Sequence, residues 1–366
     1  MRLLIGAGGT GGHVYPALAV AEVLHKSGDG HELTFIGTRG GGGFEKQLVD
    51  AYDVPFAAYG EVFAGPIVGV NPLRAISSMV KMGLGVLQAW QFMGRHKPQA
   101  ILLTGGWANV PVALAARVRG IPMLVYLPDI EPGSTIRVLS RFAEKVATTV
   151  DASAPFFKPG QIVATGYPLR GAFMTATREE GQACFGLDPA RKTLLITGGS
   201  RGARSINQAV EAILPDLLAD GIQVIHITGQ LDWDRSQAAT ADLPDATLYH
   251  PLAYSDQMHL AYAASDLAVA RAGASTLGEL TYYGLPGILV PYPYAWRYQR
   301  VNADYLAEHS AAVRLDDEQM ADTLLPTIRR LMYDEGTSVQ MKAAAKALGS
   351  AHGAQNIADL LLEMAQ

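Results

Sequence analysis

The chain has 366 residues, 49% hydrophobic and 17% charged, a composition that supplies the cores of two ordinary domains and excludes a disordered polymer. Its 29 Lys and Arg against 34 Asp and Glu leave a formal charge of −5, so no global basic field points to nucleic acid. The single cysteine, Cys184, excludes an internal disulfide framework and fits a reducing compartment.

The N-terminal segment predicts no signal peptide, because glycines follow directly on the short apolar run 3–5. The longest apolar stretches, 76–93 and 101–125, are interrupted by Lys81 or by Arg117 and Arg119, so no membrane span is predicted. Residues 2–6 read as a strand, followed by a helix over 16–26, a strand over 33–37 and a helix over 44–52. A long apolar helix over 73–94 comes next, then strands over 100–104, 123–127 and 146–150. The pattern restarts after 166–170, with a strand at 193–197 and a helix at 205–219 ended by Gly221. Strands at 224–228, 267–270 and 287–291 follow, and 343–366 has helical spacing with a break near 349–353.

Such alternation predicts an α/β chain of two Rossmann-like, doubly wound parallel-sheet domains facing across a cleft. The expected domains are 1–166 and 167–345, with a C-terminal helix, 346–366, packing back on the first.

Each half opens with an apolar strand running into a glycine cluster, 6–12 in the first and 198–202 in the second. Gly6, Gly8 and Gly11 have the G-x-G-x-x-G spacing of a dinucleotide loop. That reading needs an acid at the end of the second strand to hold a ribose, and the strand ends Gly37-Thr38-Arg39 without one. His13 closes the loop where a helix begins, placed either as a general base or as a packing and capping residue. In the second loop, Gly199, Ser200, Arg201 and Gly202 open a helix, either as an ordinary strand-to-helix turn that uses glycine for geometry or, as the serine and arginines favour, as a cradle for a diphosphate. Arg170, at the domain junction, is a further cation for it. Glu279 follows Arg271-Ala-Gly-Ala-Ser-Thr-Leu-Gly and suits a ribose, yet Thr276-x-x-Glu279 equally fits a capping box. The aromatic and amide-rich stretch 291–302 suits either a sugar ring or a proline-stiffened loop.

In order and spacing, Gly8-Gly-Thr-Gly-Gly-His13, Gly37-Thr-Arg-Gly-Gly, Gly198-Gly-Ser-Arg-Gly-Ala-Arg204, Arg271 to Glu279 and Gln299…Asn302 resemble the MurG family of bacterial cell-wall N-acetylglucosaminyltransferases over nearly the whole chain. The resemblance implies a metal-independent, inverting transferase of the GT-B fold with no cofactor. It would move N-acetylglucosamine from UDP-N-acetylglucosamine to an undecaprenyl-linked acceptor, lipid I, on the inner face of the cell membrane. His13 would be catalytic. Thr10, Gly11, Gly12, Arg170, Gly199, Ser200, Arg201, Gly202, Glu279 and Gln299 would serve the donor.

The acceptor side would draw on Gly106, Asn109 and Asp129, and here the chain departs from the family. Where the family carries His-Glu-Gln-Asn, this chain reads Tyr126-Leu-Pro-Asp129, and Gly105-Gly-Trp107-Ala-Asn109 replaces Gly-Gly-Tyr-Val-Ser. A different lipid or small-molecule acceptor, or a non-catalytic UDP-sugar-binding subunit, therefore stands as the alternative.

In the long helix, Leu73, Ile76, Val80, Leu84, Leu87 and Trp90 form an apolar stripe, expected mainly to pack on a sheet. Arg74, Lys81, Gln88 and Arg95 form a polar stripe opposite. Met79, Met82, Val86, Phe92 and Met93 widen the apolar surface, which suggests an additional seat on an anionic membrane surface.

Overall fold

Continuous apolar runs make the central strands, as strands covered on both faces require. A computed structural model describes residues 1–9, 11–40, 44–66, 70–199, 201–243, 246–293 and 298–366. The chain divides into two units, Met1–Gly171 with Ala351–Gln366, and Ala172–Ser350.

The first unit begins β1 (Arg2–Gly6), α1 (Gly11–Lys26), β2 (Glu32–Thr38), α2 (Phe44–Asp50), β3 (Ala58–Val62) and α3 (Pro72–His96). It continues β4 (Ala100–Leu103), α4 (Asn109–Arg119), β5 (Met123–Leu127), α5 (Ser134–Leu139), β6 (Lys145–Thr148) and β7 (Ile162–Ala164). Helix α6 (Gly171–Thr175) starts on the last residue of the first unit and leads into the second, which continues α7 (Arg178–Phe185), β8 (Thr193–Thr197), α8 (Arg204–Ala219), β9 (Gln223–Ile227) and α9 (Trp233–Ala239). Then come β10 (Tyr249–Leu252), α10 (Met258–Ala264), β11 (Leu267–Ala270), α11 (Ala274–Tyr283), β12 (Gly287–Leu289) and α12 (Tyr298–Glu308). It closes with β13 (Ala312–Arg314), α13 (Met320–Tyr333) and α14 (Glu335–Leu348), while α15 (Gly353–Met364) belongs to the first unit.

Every described strand pair is parallel. The first sheet has seven strands in the order β3-β2-β1-β4-β5-β6-β7, and the second has six in the order β10-β9-β8-β11-β12-β13. Each order reverses at its first strand, so each unit has a switch point, β1/β4 and β8/β11, the position at the carboxyl edge where ligands bind in open α/β sheets. Leu4, Ile36, Ile101, Leu103, Val125 and Val146 anchor the first core; Leu194, Ile196, Val224, Val269 and Ile288 anchor the second.

Helix α3 corrects the orientation expected of its apolar stripe. The face turned into the unit carries Ser78, Met82, Gly85, Ala89 and Met93. A Cβ on Gly85 would stand 2.1 Å from the Phe63 carbonyl oxygen, and one on Gly65 would stand 2.6 Å from Ser78 Oγ. So close an approach admits only small side chains, and the bulky stripe is turned out: Leu73 is 82% exposed, Val80 63% and Leu87 60%. Arg74, Lys81 and Arg95 are also exposed, whereas Gln88 leaves the polar stripe to accept the Phe63 N–H at 2.8 Å. Arg119 of α4 stacks 3.9 Å over the Trp90 ring at the same surface. Among the described residues no helix is long and apolar enough to cross a membrane.

Candidate active site

At the first switch point the loops after β1 and β4 are laced together. Gly8 N–H donates to Gly105 O at 3.2 Å and Thr104 N–H to Gly6 O at 3.0 Å. Asn109, fully buried at the start of α4, donates from Nδ2 to Gly105 O at 2.6 Å and to Gly6 O at 3.0 Å. Its Nδ2 is thereby committed under the loops as a staple, while the buried Oδ1 makes no hydrogen bond. Gly106 (φ 87°) leans on Gly8, where any Cβ would come within 2.2 Å of the Gly8 carbonyl oxygen.

His13 lies in the first turn of α1, which begins five residues before Pro16. Thr104 Oγ1 donates to the His13 carbonyl at 2.7 Å. The imidazole lies against Gly105 (φ 116°), whose absent Cβ would be 2.5 Å from Cδ2 and 2.8 Å from Nε2. Burial lowers the His13 pKa below 6.5, opposed by the backbone at Gly8, although Nδ1 makes no well-formed hydrogen bond there. A lowered pKa keeps the ring neutral near pH 7, the state a general base needs.

Gly11 and Gly12 form the opening of α1, beside His13. Thr10 lies outside the described residues. Arg170 stacks 4.4 Å over the Tyr15 ring of α1, and the next residue, Gly171, donates its N–H to Glu22 Oε2 at 3.0 Å. Asp129 follows β5 and is half-buried. Its neighbour Glu131 is buried and paired with Arg137 at 3.1 Å, and Tyr126 is fully buried with Oη 2.9 Å from Thr149 Oγ1.

The acid beside the first glycine loop is Glu45. It comes not from β2 but from α2, and its buried carboxylate accepts Gly9 N–H at 2.5 Å and Thr38 N–H at 2.6 Å. The Gly9 N–H of the glycine loop is thus taken by a carboxylate of the chain itself.

At the second switch point, Gly199 (φ 79°) is exposed and Gly202 (φ 76°) turns the chain into α8, whose N-cap, Ala203, offers no side-chain acceptor. A Cβ on Gly202 would stand 2.2 Å from Thr228 O, so the loop is seated on the end of β9. Ser200 lies outside the described residues. The two arginines of this loop have different tasks. Arg201 is exposed, whereas Arg204 donates to Asp232 at 2.9 Å. Asp232 also accepts from Asn207 at 2.8 Å and from Arg235, contacts that hold its carboxyl well below the usual range.

Arg271 is a second organiser that sequence spacing left without a role. It is buried and donates to Val290 O at 3.0 Å, Asp317 Oδ1 at 2.7 Å and Ser205 Oγ at 2.7 Å, tying the start of α8 to the loop after β12. The far end of that loop is fastened by Asn302, which donates to Ala272 O at 3.1 Å. Gln299 spans it, accepting Tyr292 N–H at 2.9 Å. Residues 294–297 of this stretch lie outside the described residues. Helix α11 starts at Ala274 with Gly273 as its N-cap, so Thr276 sits inside the helix and the capping-box reading of Glu279 falls away. Glu279 is half-buried in the middle of that helix, after β11. Among the described residues, no group of three or more His, Cys, Asp or Glu side chains is arranged to hold a metal ion.

Known proteins share this arrangement throughout. Residues 3–148 match the glycosyltransferase family 28 N-terminal domain and residues 193–361 its C-terminal domain. A UDP-N-acetylglucosamine–N-acetylmuramyl-(pentapeptide) pyrophosphoryl-undecaprenol N-acetylglucosamine transferase of Desulforudis audaxviator is 36% identical, aligning 100% of this chain with 99% of its own. The enzyme of the same name from Halalkalibacterium halodurans is 35% identical, with 100% of both chains aligned. The crystal structure of Acinetobacter baumannii MurG superposes with a TM-score of 0.77 at 27% identity, covering 99% of this chain and 100% of that one. A UDP-GlcNAc 2-epimerase from Neisseria meningitidis shares the fold alone, with a TM-score of 0.70 at 11% identity over 99% of this chain and 100% of its own. With two parallel-sheet domains, a glycine loop at each switch point and full-length relatives above 30% identity, this chain belongs to the MurG family of N-acetylglucosaminyltransferases, within glycosyltransferase family 28.

Proposed function

We propose that the protein transfers N-acetylglucosamine from UDP-N-acetylglucosamine to the N-acetylmuramyl-(pentapeptide) pyrophosphoryl-undecaprenol acceptor, lipid I, forming lipid II. The full-length relatives of that name, with both switch-point loops in place, support this reading. His13 takes the proton of the acceptor hydroxyl as its oxygen attacks the anomeric carbon. UDP leaves from the opposite face with the bonding pair, so the configuration inverts.

The donor diphosphate rests on the N–H groups around Gly199–Gly202 at the uncapped start of α8, with Ser200, Arg201 and Arg170 as further donors. Glu279 holds the ribose and Gln299 the sugar, and Thr10, Gly11 and Gly12 also serve the donor. The helix ends and arginines supply the positive charge that UDP needs on leaving, so the proposed chemistry uses no cofactor or metal. Gly106 and Asp129 face the acceptor.

The exposed apolar face of α3, rimmed by Arg74, Lys81 and Arg95, seats the enzyme on the anionic inner face of the membrane, where the lipid tail of the acceptor stays. A second reading, another lipid-linked acceptor, is favoured by one observation: where the family carries His-Glu-Gln-Asn, Tyr126 is wholly buried. Mass analysis of products from labelled UDP-N-acetylglucosamine, with a lipid I analogue and a panel of other polyprenyl diphosphate sugars, tests both. A β-linked disaccharide on lipid I alone supports the main reading, and preferential transfer to another member overturns it.

A further inference from the structure

Glu45 is a buried carboxylate that the chemistry above does not use. It is 5% exposed, and among the described residues no lysine or arginine pairs with it. Two main-chain amides satisfy it instead, Gly9 N–H at 2.5 Å in the loop leading to His13 and Thr38 N–H at 2.6 Å at the end of β2. Glycines line its surroundings: a Cβ on Gly37 would stand 2.3 Å from Tyr59 Oη and 3.0 Å from Glu45 Oε2, so the strand end beside the carboxylate admits no side chain. Gly9 itself is left-handed (φ 96°), a conformation that presents its N–H toward α2.

A buried carboxylate without a counter-ion depends on its hydrogen bonds, since leaving it unpaired costs several kcal/mol. What those bonds fix here is the station of one loop. Gly8 is already tied to Gly105, Gly9 to Glu45, and His13 to Thr104 through its carbonyl. The N–H groups of Gly8 and Gly9 are thereby consumed, and a ligand anion is left with the first turn of α1, residues 11–13.

We infer that Glu45 is a positioning residue for the reaction, an internal anion that holds the glycine loop so that the His13 ring lies on Gly105 at the β1/β4 edge. This inference rests on the transfer reaction proposed above. Glu45→Gln keeps the shape but turns an amide NH2 against one of the two N–H donors. Glu45→Asp keeps the charge and is one methylene too short to reach both.

The experiment measures kcat with a lipid I analogue, the Kd of UDP-N-acetylglucosamine, and the titration of the His13 imidazole by NMR. Both variants should lose kcat by about 30-fold, as displacement of a catalytic group by a fraction of an ångström does. Donor Kd should change much less than kcat, because the Gly199–Gly202 loop that carries the diphosphate is built on another sheet and only Thr10, Gly11 and Gly12 belong to the loop that Glu45 holds. The His13 titration should move up toward 6.5, because a loosened loop hydrates a ring whose pKa burial now lowers. Unchanged kcat and an unmoved titration in Glu45→Gln would overturn the inference. So would an equal loss of donor affinity, which would mark Glu45 as a support of the fold at large. If the wild-type protein forms no product, the transfer reading fails by itself, and the His13 titration still decides the role of Glu45.

Discussion

Asn109 and Gly105 are joined by a 2.6 Å hydrogen bond from the buried side-chain amide to the main-chain carbonyl. The same nitrogen reaches Gly6 O, so one amide fastens the loop after β1 to the loop after β4. Asn109→Asp replaces a shared donor with an acceptor facing two carbonyls. It should destabilise the first unit by about 2–3 kcal/mol, the cost of buried polar groups left unpaired. Urea unfolding followed at Trp90 and Trp107 reads this, and a change within error would remove Asn109 from the staple role.

Arg271 makes a prediction about the donor. Its guanidinium serves Ser205, Val290 O and Asp317 at once, which a lysine ammonium cannot do from a single point. Arg271→Lys should weaken UDP-N-acetylglucosamine binding by about tenfold, the loss of one to two charge-assisted hydrogen bonds. Calorimetry checks it; wild-type affinity in the variant would show that the loop after β12 holds its place without this tie.

Acid stability is set in part by His226. It is wholly buried in β9, with Nδ1 2.9 Å from Tyr249 Oη and Nε2 3.1 Å from Asn207 Oδ1, and burial pushes its pKa down to about 3 from 6.5. Between those values the unfolded chain binds one proton more than the folded one, so stability falls as pH falls below 6.5. The slope is about 1.4 kcal/mol per pH unit, or about 2 kcal/mol between pH 6.5 and 5. His226→Gln keeps a neutral donor and acceptor and should flatten the acid limb of the second unit's unfolding by that amount. Parallel limbs for the two proteins would contradict the assignment.

The outward stripe of α3 separates membrane binding from stability. Val80 is 63% exposed and Leu84 49% exposed, so Val80→Glu with Leu84→Glu should leave the melting temperature nearly unchanged, as surface substitutions do. Flotation with anionic vesicles should lose most of the bound protein. Undiminished flotation would place the membrane contact elsewhere.

How far the sequence could be read follows from burial. Strands β1, β4, β5, β8, β9 and β11 are legible because covering on both faces demands unbroken apolar runs. The outer strands β3, β7, β10 and β13 were not anticipated: Ala-Tyr-Gly-Glu-Val or Tyr-His-Pro-Leu carries no such run, since an outer strand is only half covered. Periodicity located the stripe on α3 but not its direction, which Gly85 and Ser78 decide by admitting close neighbours. The glycine loops were visible as motifs. Glu45 and Asp232 were not, because each follows the second strand of its unit and turns inward, and spacing does not reveal which way a carboxylate points.

His13 carries the central claim. The measurement that tests it most directly is single-turnover transfer to a lipid I analogue by wild type and by His13→Ala, with UDP affinity measured on the same samples. The account predicts a loss of about 10²–10⁴-fold in the variant, the usual contribution of a general base, at unchanged UDP affinity. It also predicts a wild-type acid limb below pH 6.5, as a pKa lowered by burial requires. Wild-type rates from His13→Ala would contradict it and assign the acceptor proton to another group.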